Sequence, residues 1–144
     1  YSLYGNNFVD TILRLSQTRD KLNIISDQIG SPTYANDLVI VILTMLNDKN
    51  FNEVNQASEV FHYSNEGQCS WYDFALEIIN ISESKCKIYS IYSNNYPQEA
   101  KRPKQVIMNS KKIIDLLGLK NSFWKTSLNN CIQDLLSLSN SNEK

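Results

Sequence analysis

The sequence predicts an α/β domain, and three observations carry that prediction. Short apolar segments of strand length, Leu22 to Ile25, Val60 to Ser64 and Lys87 to Tyr92, alternate with longer stretches whose apolar residues recur at helical spacing. Loops holding Gly, Pro, Asn and Ser separate them, and strand, loop and helix occur twice in the same order. Such alternation favours some parallel pairing. At 144 residues the chain fits one domain with a workable core, here residues 1–139, with 140–144 as a frayed tail.

Taken in order, Phe8, Ile12 and Leu15 mark one face of a half-buried helix over 8–19, with Asn7 able to cap it. Leu22 to Ile25 is a brief strand that delivers the chain into a polar loop at 27–33. The next helix, Tyr34 to Leu46, is apolar almost all round, so it is expected to be covered on several sides. Val60 to Ser64 reads as a strand with Phe61 and Tyr63 on one face, turned by Asn65, Glu66 and Gly67. Ser70 and Asp73 have the spacing of a capping box, and Trp71, Phe74, Ala75 and Ile78 then mark a helical face. Lys87 to Tyr92 makes the third strand, and Ser93 to Gln105, with Pro97 and Pro103, shows no period and reads as a loop. Two helices, Lys111 to Leu117 and Thr126 to Leu138, close the domain with Gly118 punctuating between them.

Composition excludes several classes. Apolar content of 42% with 20% charged residues, and Lys plus Arg at 14 against Asp plus Glu at 15, argue against disordered and strongly nucleic-acid-binding chains. No apolar run reaches the roughly 18 residues of a membrane span, and YSLYGNNF has no signal-peptide pattern. A cytoplasmic protein that engages neither nucleic acid nor membrane is therefore expected. Tyr1 is not a methionine, so the sequence reads as beginning inside a longer chain. Cys69, Cys86 and Cys131 are odd in number and widely spaced, which predicts reduced, packed thiols and no zinc site.

Chemistry concentrates in the loops. In an open α/β sheet ligands sit beyond the carboxyl ends of strands, and the loops at 27–33 and 65–70 both follow strands and precede helices. Asp27 and Gln28 offer polar groups, Gly30 permits close approach or positive φ, Pro32 stiffens the turn, and Thr33 can cap the following helix. The plain alternative is a β-to-α connection with an Asx turn and a cap. His62, the single histidine, reads as a packed or hydrogen-bonded strand residue more readily than as a catalyst. Lys101, Arg102 and Lys104 form a compact basic cluster, and a forked guanidinium suits a diphosphate; a solvated loop is the alternative. The aromatic residues fit core packing and do not form a single-strand stacking platform. With glycines only at 5, 30, 67 and 118, and no tyrosine followed four residues later by lysine, neither a glycine-rich dinucleotide loop nor a Tyr-x-x-x-Lys pair is present.

YGNNF at 4–8, DQIGSPT at 27–33, SNEGQCSWYDFA at 64–75 and the YP and AKRP pairs within 96–103 stand together in an order that resembles the C-terminal half of the dTDP-4-dehydrorhamnose reductases. That family belongs to the extended short-chain dehydrogenase/reductases. The resemblance implies the C-terminal part of a Rossmann-type fold without its N-terminal dinucleotide-binding half. It implies NADPH- or NADH-dependent reduction of dTDP-4-dehydro-L-rhamnose to dTDP-L-rhamnose by the complete protein, with the cofactor and the catalytic Tyr-x-x-x-Lys in the missing half, so that these residues alone are inactive. Mg2+ and a homodimer are implied for the complete protein only. Matched residue by residue, the resemblance gives substrate-binding roles to Asn7, Phe8, Asp27, Gln28, Gly30, Pro32, Thr33 and Arg102, and catalytic, cofactor or metal roles to none. One departure stands out: Val106 to Asn109 lacks the serine that members often carry after the Arg-Pro pair. Two further readings stay open. The same fold serves as a non-catalytic regulatory module in the regulatory subunits of methionine adenosyltransferase, and the other reading is a relic that never folds; in the complete protein the missing half would cover the helix at 38–46, so the isolated chain is expected to expose it as an apolar patch.

Overall fold

The structure, a computed structural model, describes residues 1–49, 59–96 and 102–141. Its elements run α1 (Phe8–Thr18), β1 (Lys21–Ile25), β2 (Ile29–Gly30), α2 (Ala35–Asn47), β3 (Cys69–Ser70), α3 (Trp71–Ile81), β4 (Lys87–Ile91), a 3-10 turn (Ser93–Asn95), β5 (Gln105–Val106), α4 (Lys111–Leu117) and α5 (Trp124–Ser141). β1 and β4 pair in parallel from Lys21 opposite Lys87 to Ile25 opposite Ile91. A second small sheet has the order β3-β2-β5, antiparallel between β2 and β3 and parallel between β2 and β5.

Local chemistry explains the helix starts. Asn7 Oδ1 accepts from the amides of Val9 and Asp10, as its capping position predicts, and Nδ2 donates to the carbonyls of Ser2 and Gly5. Ser70 and Asp73 form the reciprocal capping box at the head of α3. Those caps satisfy amides that would otherwise lack partners, each worth about 1 kcal/mol. Between α1 and α3 lies the core: Val9 and Ile12 meet Phe74, Ala75 and Ile78, with Leu22 of β1 and Leu128 and Ile132 of α5 closing it. Each fully buried aliphatic side chain contributes about 1.5–3 kcal/mol, so the core outweighs the caps.

Four expectations need correction. Val60 to Ser64 forms no ladder, because its polar groups go elsewhere: the Ser64 amide donates to Ser110 Oγ and its carbonyl accepts from Asn121 Nδ2. His62 is exposed, not packed. The loop at 27–33 contains β2, and β5 begins at the last residue of the loop at 93–105; both are two-residue strands too short to leave a period in the sequence. Thr33 does not cap α2; its hydroxyl donates to the Ser31 carbonyl, the N-cap position is Tyr34, and the Tyr34 amide is taken by Asn65 Oδ1 from across the fold. At the other end of the chain α5 starts two residues before the predicted Thr126 and runs to Ser141. Lys101, Pro97 and residues 142–144 of the expected tail lie outside the described residues.

Helix α2 shows the largest mismatch between composition and environment. Val41 is its one buried residue, whereas Val39, Ile40, Ile42, Leu43 and Leu46 are 45–64% exposed. The cover that an all-round apolar helix predicts is absent among the described residues. A contiguous face of that kind marks an interaction surface or an aggregation liability. The isolated chain is therefore expected to enhance the fluorescence of a hydrophobic dye strongly and to self-associate, and the pair Ile40→Lys with Leu43→Glu to abolish both. A dye-silent monomer would contradict this. No helix among the described residues is long and apolar enough to cross a membrane.

Candidate functional site

A cavity of about 540 Å³ opens where the three-stranded sheet meets the first turns of α1 and α3. Its floor is β2. Gln28 is buried there at 6% exposure, Gly30 follows, and Pro32 and Thr33 continue the wall toward α2. Asn7 and Phe8 enter from the head of α1, and Arg102 with Pro103 from the segment leading into β5. The strand pairing explains why residues so far apart in sequence meet: the Ile29 amide donates to the Lys104 carbonyl, and β3 flanks β2 on its other edge. Asn7, Phe8, Gln28, Gly30, Pro32, Thr33 and Arg102 thus share one cavity, and Asp27 is not in its lining.

Asp27 has a different occupation. Both carboxylate oxygens accept from Ser93, one from its amide and one from its hydroxyl, each at 2.8 Å. It ties the end of β1 to the 3-10 turn after β4, one residue ahead of Gln28. The Ser93 hydroxyl, then the Ser93 amide, hold the Asp27 carboxyl below the usual carboxylate range. Because the folded-state pKa is depressed, the stabilisation is present above the unfolded value of about 4 and is lost as pH falls through the lowered folded value. Hydrogen exchange at the Ser93 amide is expected to accelerate only below that range, and Ser93→Ala, which removes the hydroxyl and keeps the amide, to bring the Asp27 titration part of the way back to the ordinary one. An Asp27 carboxyl that titrates identically in both proteins would refute the pairing.

The glycine reading also changes. Gly30 is extended, not at positive φ, and a Cβ there would meet only the Val106 carbonyl at 3.5 Å, an ordinary contact. The demanding glycine is Gly67, at φ 89°, whose carbonyl accepts from Ser31 Oγ and so fixes the neighbouring cavity wall. Sequence reasoning also missed Trp71. Its spacing with Phe74, Ala75 and Ile78 predicts a packed helical face, yet it is 38% exposed and lines the cavity with Tyr1, Val106 and Met108. The signal was its place immediately after the N-cap, where a side chain can point away from the core.

Cys69 lines the cavity, but burial, then the nearby Asp73, push its thiol up to about 12, so it stays protonated and a poor nucleophile. All three cysteines are free and buried. Among the described residues no group of three or more His, Cys, Asp or Glu side chains could hold a metal ion, so the Mg2+ expectation finds no ligand set here. What remains is a largely apolar cleft with one buried amide side chain, Gln28, and one guanidinium, Arg102, at its rim, the composition of a small-molecule site.

Fold and cavity together define the class: this is the substrate side of an α/β enzyme of the extended short-chain dehydrogenase/reductase type, covering only part of that fold. The chain belongs to the RmlD substrate binding domain family, whose model matches residues 1–137, and it corresponds to the C-terminal substrate-binding portion of that family's members. A dTDP-4-dehydrorhamnose reductase of Aggregatibacter actinomycetemcomitans is 35% identical over 133 residues, covering 88% of this chain and 45% of that protein. The spore coat polysaccharide biosynthesis protein SpsK of Bacillus subtilis is 33% identical over 134 residues, covering 93% of this chain and 44% of the relative. Among solved structures, the dTDP-4-dehydrorhamnose reductase of Bacillus anthracis in complex with NADP superposes with a TM-score of 0.82 at 32% identity, over 93% of this chain and 45% of that one. A UDP-galactose 4-epimerase, at 17% identity and a TM-score of 0.68, shares the fold. The chain spans a little under half the length of these reductases.

Proposed function

We propose that this chain supplies the sugar-nucleotide-binding side of a dTDP-4-dehydrorhamnose reductase, a cytoplasmic enzyme of dTDP-rhamnose biosynthesis. The complete protein would reduce dTDP-4-dehydro-L-rhamnose to dTDP-L-rhamnose, with NADPH in preference to NADH as hydride donor and a homodimer as its working form. The observation that carries this reading is the convergence of Asn7, Phe8, Gln28, Gly30, Pro32, Thr33 and Arg102 on one cavity in a chain whose relatives act on dTDP-sugars. When bound in the complete enzyme, the nicotinamide supplies the hydride. The residues present here bind and orient. Arg102, exposed at the cavity rim, would pair with the diphosphate through its forked donors. Gln28 would hydrogen-bond the ligand from the buried floor, and Asp27 would hold Gln28 in place through Ser93. The apolar walls exclude water and strengthen both contacts.

Calorimetric titration with dTDP-L-rhamnose tests this. Arg102→Ala and Gln28→Ala are each expected to raise Kd about tenfold or more, because a hydrogen bond involving a charged group, or a buried amide side chain left out, is worth roughly 1.5–3 kcal/mol. The Arg102→Ala loss should shrink at high salt, as a rim charge requires. Unchanged affinity in both variants would sink the proposal.

A further inference from the structure

One feature of the cavity is not accounted for by a diphosphate and its hydrogen bonds. Trp71 is the first residue of α3 and remains 38% exposed, while Phe74 on the same helix is 2% exposed and Trp124 3%. Its indole stands 4.7 Å from the Phe8 ring, tilted by 52°. Phe8 is stacked on Phe74 at 5.7 Å, and Phe74 meets Trp124 edge-on at 5.7 Å. A relay of rings therefore runs from the core to the cavity surface, and the outermost ring cannot retreat inward. The backbone beneath it is pinned by the Ser70–Asp73 capping box. An indole so braced, and so exposed, forms a rigid flat wall.

The strand order fixes what stands across from that wall. Trp71 follows β3 directly, Arg102 and Pro103 lead into β5, and β2 lies between. Strands β3 and β5, from whose ends the aromatic wall and the cationic rim extend, lie two strand spacings, about 10 Å, apart. A ligand with a planar apolar head and an anionic group several ångströms away matches that spacing. We infer that Trp71, backed by Phe8, is the stacking surface for the nucleobase of the bound nucleotide and a determinant of nucleotide affinity. This rests on the sugar-nucleotide reading above and assigns to one side chain the part of the ligand that reading leaves unplaced. Stacking on an aromatic face tolerates different bases and strengthens binding by roughly tenfold to a hundredfold.

The two tryptophans make the test direct. In Trp124→Phe, emission comes from Trp71 alone, and titration with dTDP should quench it to saturation, whereas inorganic pyrophosphate should leave it nearly unchanged. Trp71→Ala in the otherwise unaltered chain should raise the calorimetric Kd for dTDP tenfold or more, Trp71→Phe should recover most of the affinity, and the Kd for pyrophosphate should stay constant in both. Equal losses for dTDP and pyrophosphate would overturn the inference by making Trp71 merely structural. A dTDP affinity untouched by Trp71→Ala, in a chain that still binds dTDP-L-rhamnose, would also overturn it while leaving the parent reading intact. If the unaltered chain binds no dTDP-L-rhamnose at all, the parent reading fails first and the inference with it.

Discussion

Gly67→Ala is expected to destabilise the chain by about 3 kcal/mol, lowering the thermal midpoint by on the order of 10 °C. Two independent causes act in the same direction. At φ 89° an L side chain is strained, which alone costs about 1–3 kcal/mol. A Cβ there would also overlap the Phe123 ring and come within 2.9 Å of Trp124 Cδ1. Phe123 is exposed and can swing aside, but Trp124 is locked in the core, so overpacking adds about 1 kcal/mol or more. Since Gly67 also presents its carbonyl to Ser31, ligand affinity should fall together with stability. Denaturant unfolding of the two proteins decides the matter, and a shift below about 0.5 kcal/mol would show that the turn relaxes freely.

Asn65→Ala is expected to cost a similar amount, roughly 3 kcal/mol, for a different reason. Asn65 is 2% exposed and joins three parts of the fold: Oδ1 accepts from the Tyr34 amide at 2.8 Å, and Nδ2 lies within donating distance of Asp37 Oδ2, the Ser122 carbonyl and Ser127 Oγ. Truncation leaves the Tyr34 amide buried and unpaired, and leaves the Asp37 carboxylate with a weaker partner set. Asn65→Asp should be worse than alanine at neutral pH, because it sets a second carboxylate beside Asp37. The introduced acid would have a raised folded-state pKa, so its penalty grows as pH rises and fades as pH falls toward the unfolded value of about 4. An aspartate variant as stable as the parent at pH 7 would exclude the network as drawn.

These two residues also mark where the sequence was legible. The capping role of Asn7 and the box of Ser70 and Asp73 are local, fixed by neighbours two and three residues away, and were readable at once. Asn65 is readable only as a turn residue, since its partner at Tyr34 lies 31 residues off. Strands β2, β3 and β5 carry two residues each and exist because distant segments meet, so no local pattern announces them. The apolar girth of α2 predicted cover that the described residues do not provide. The cavity residues were reached through the resemblance and not through spacing or periodicity. Within that set, Asp27 turned out to tie the end of β1 to Ser93, and Trp71, absent from the set, stands on the wall.

The proposed function requires the cleft between β2, α1, α3 and β5 to bind the sugar nucleotide. Hydrogen–deuterium exchange of the chain with and without saturating dTDP-L-rhamnose tests it most directly. Binding in the cleft slows exchange in the peptides holding Gln28 to Thr33, the head of α3 at Trp71, and Arg102 to Val106, and leaves α2 from Val39 to Leu46 unaffected. Protection confined to α2, or none anywhere at a concentration where calorimetry detects binding, would contradict it.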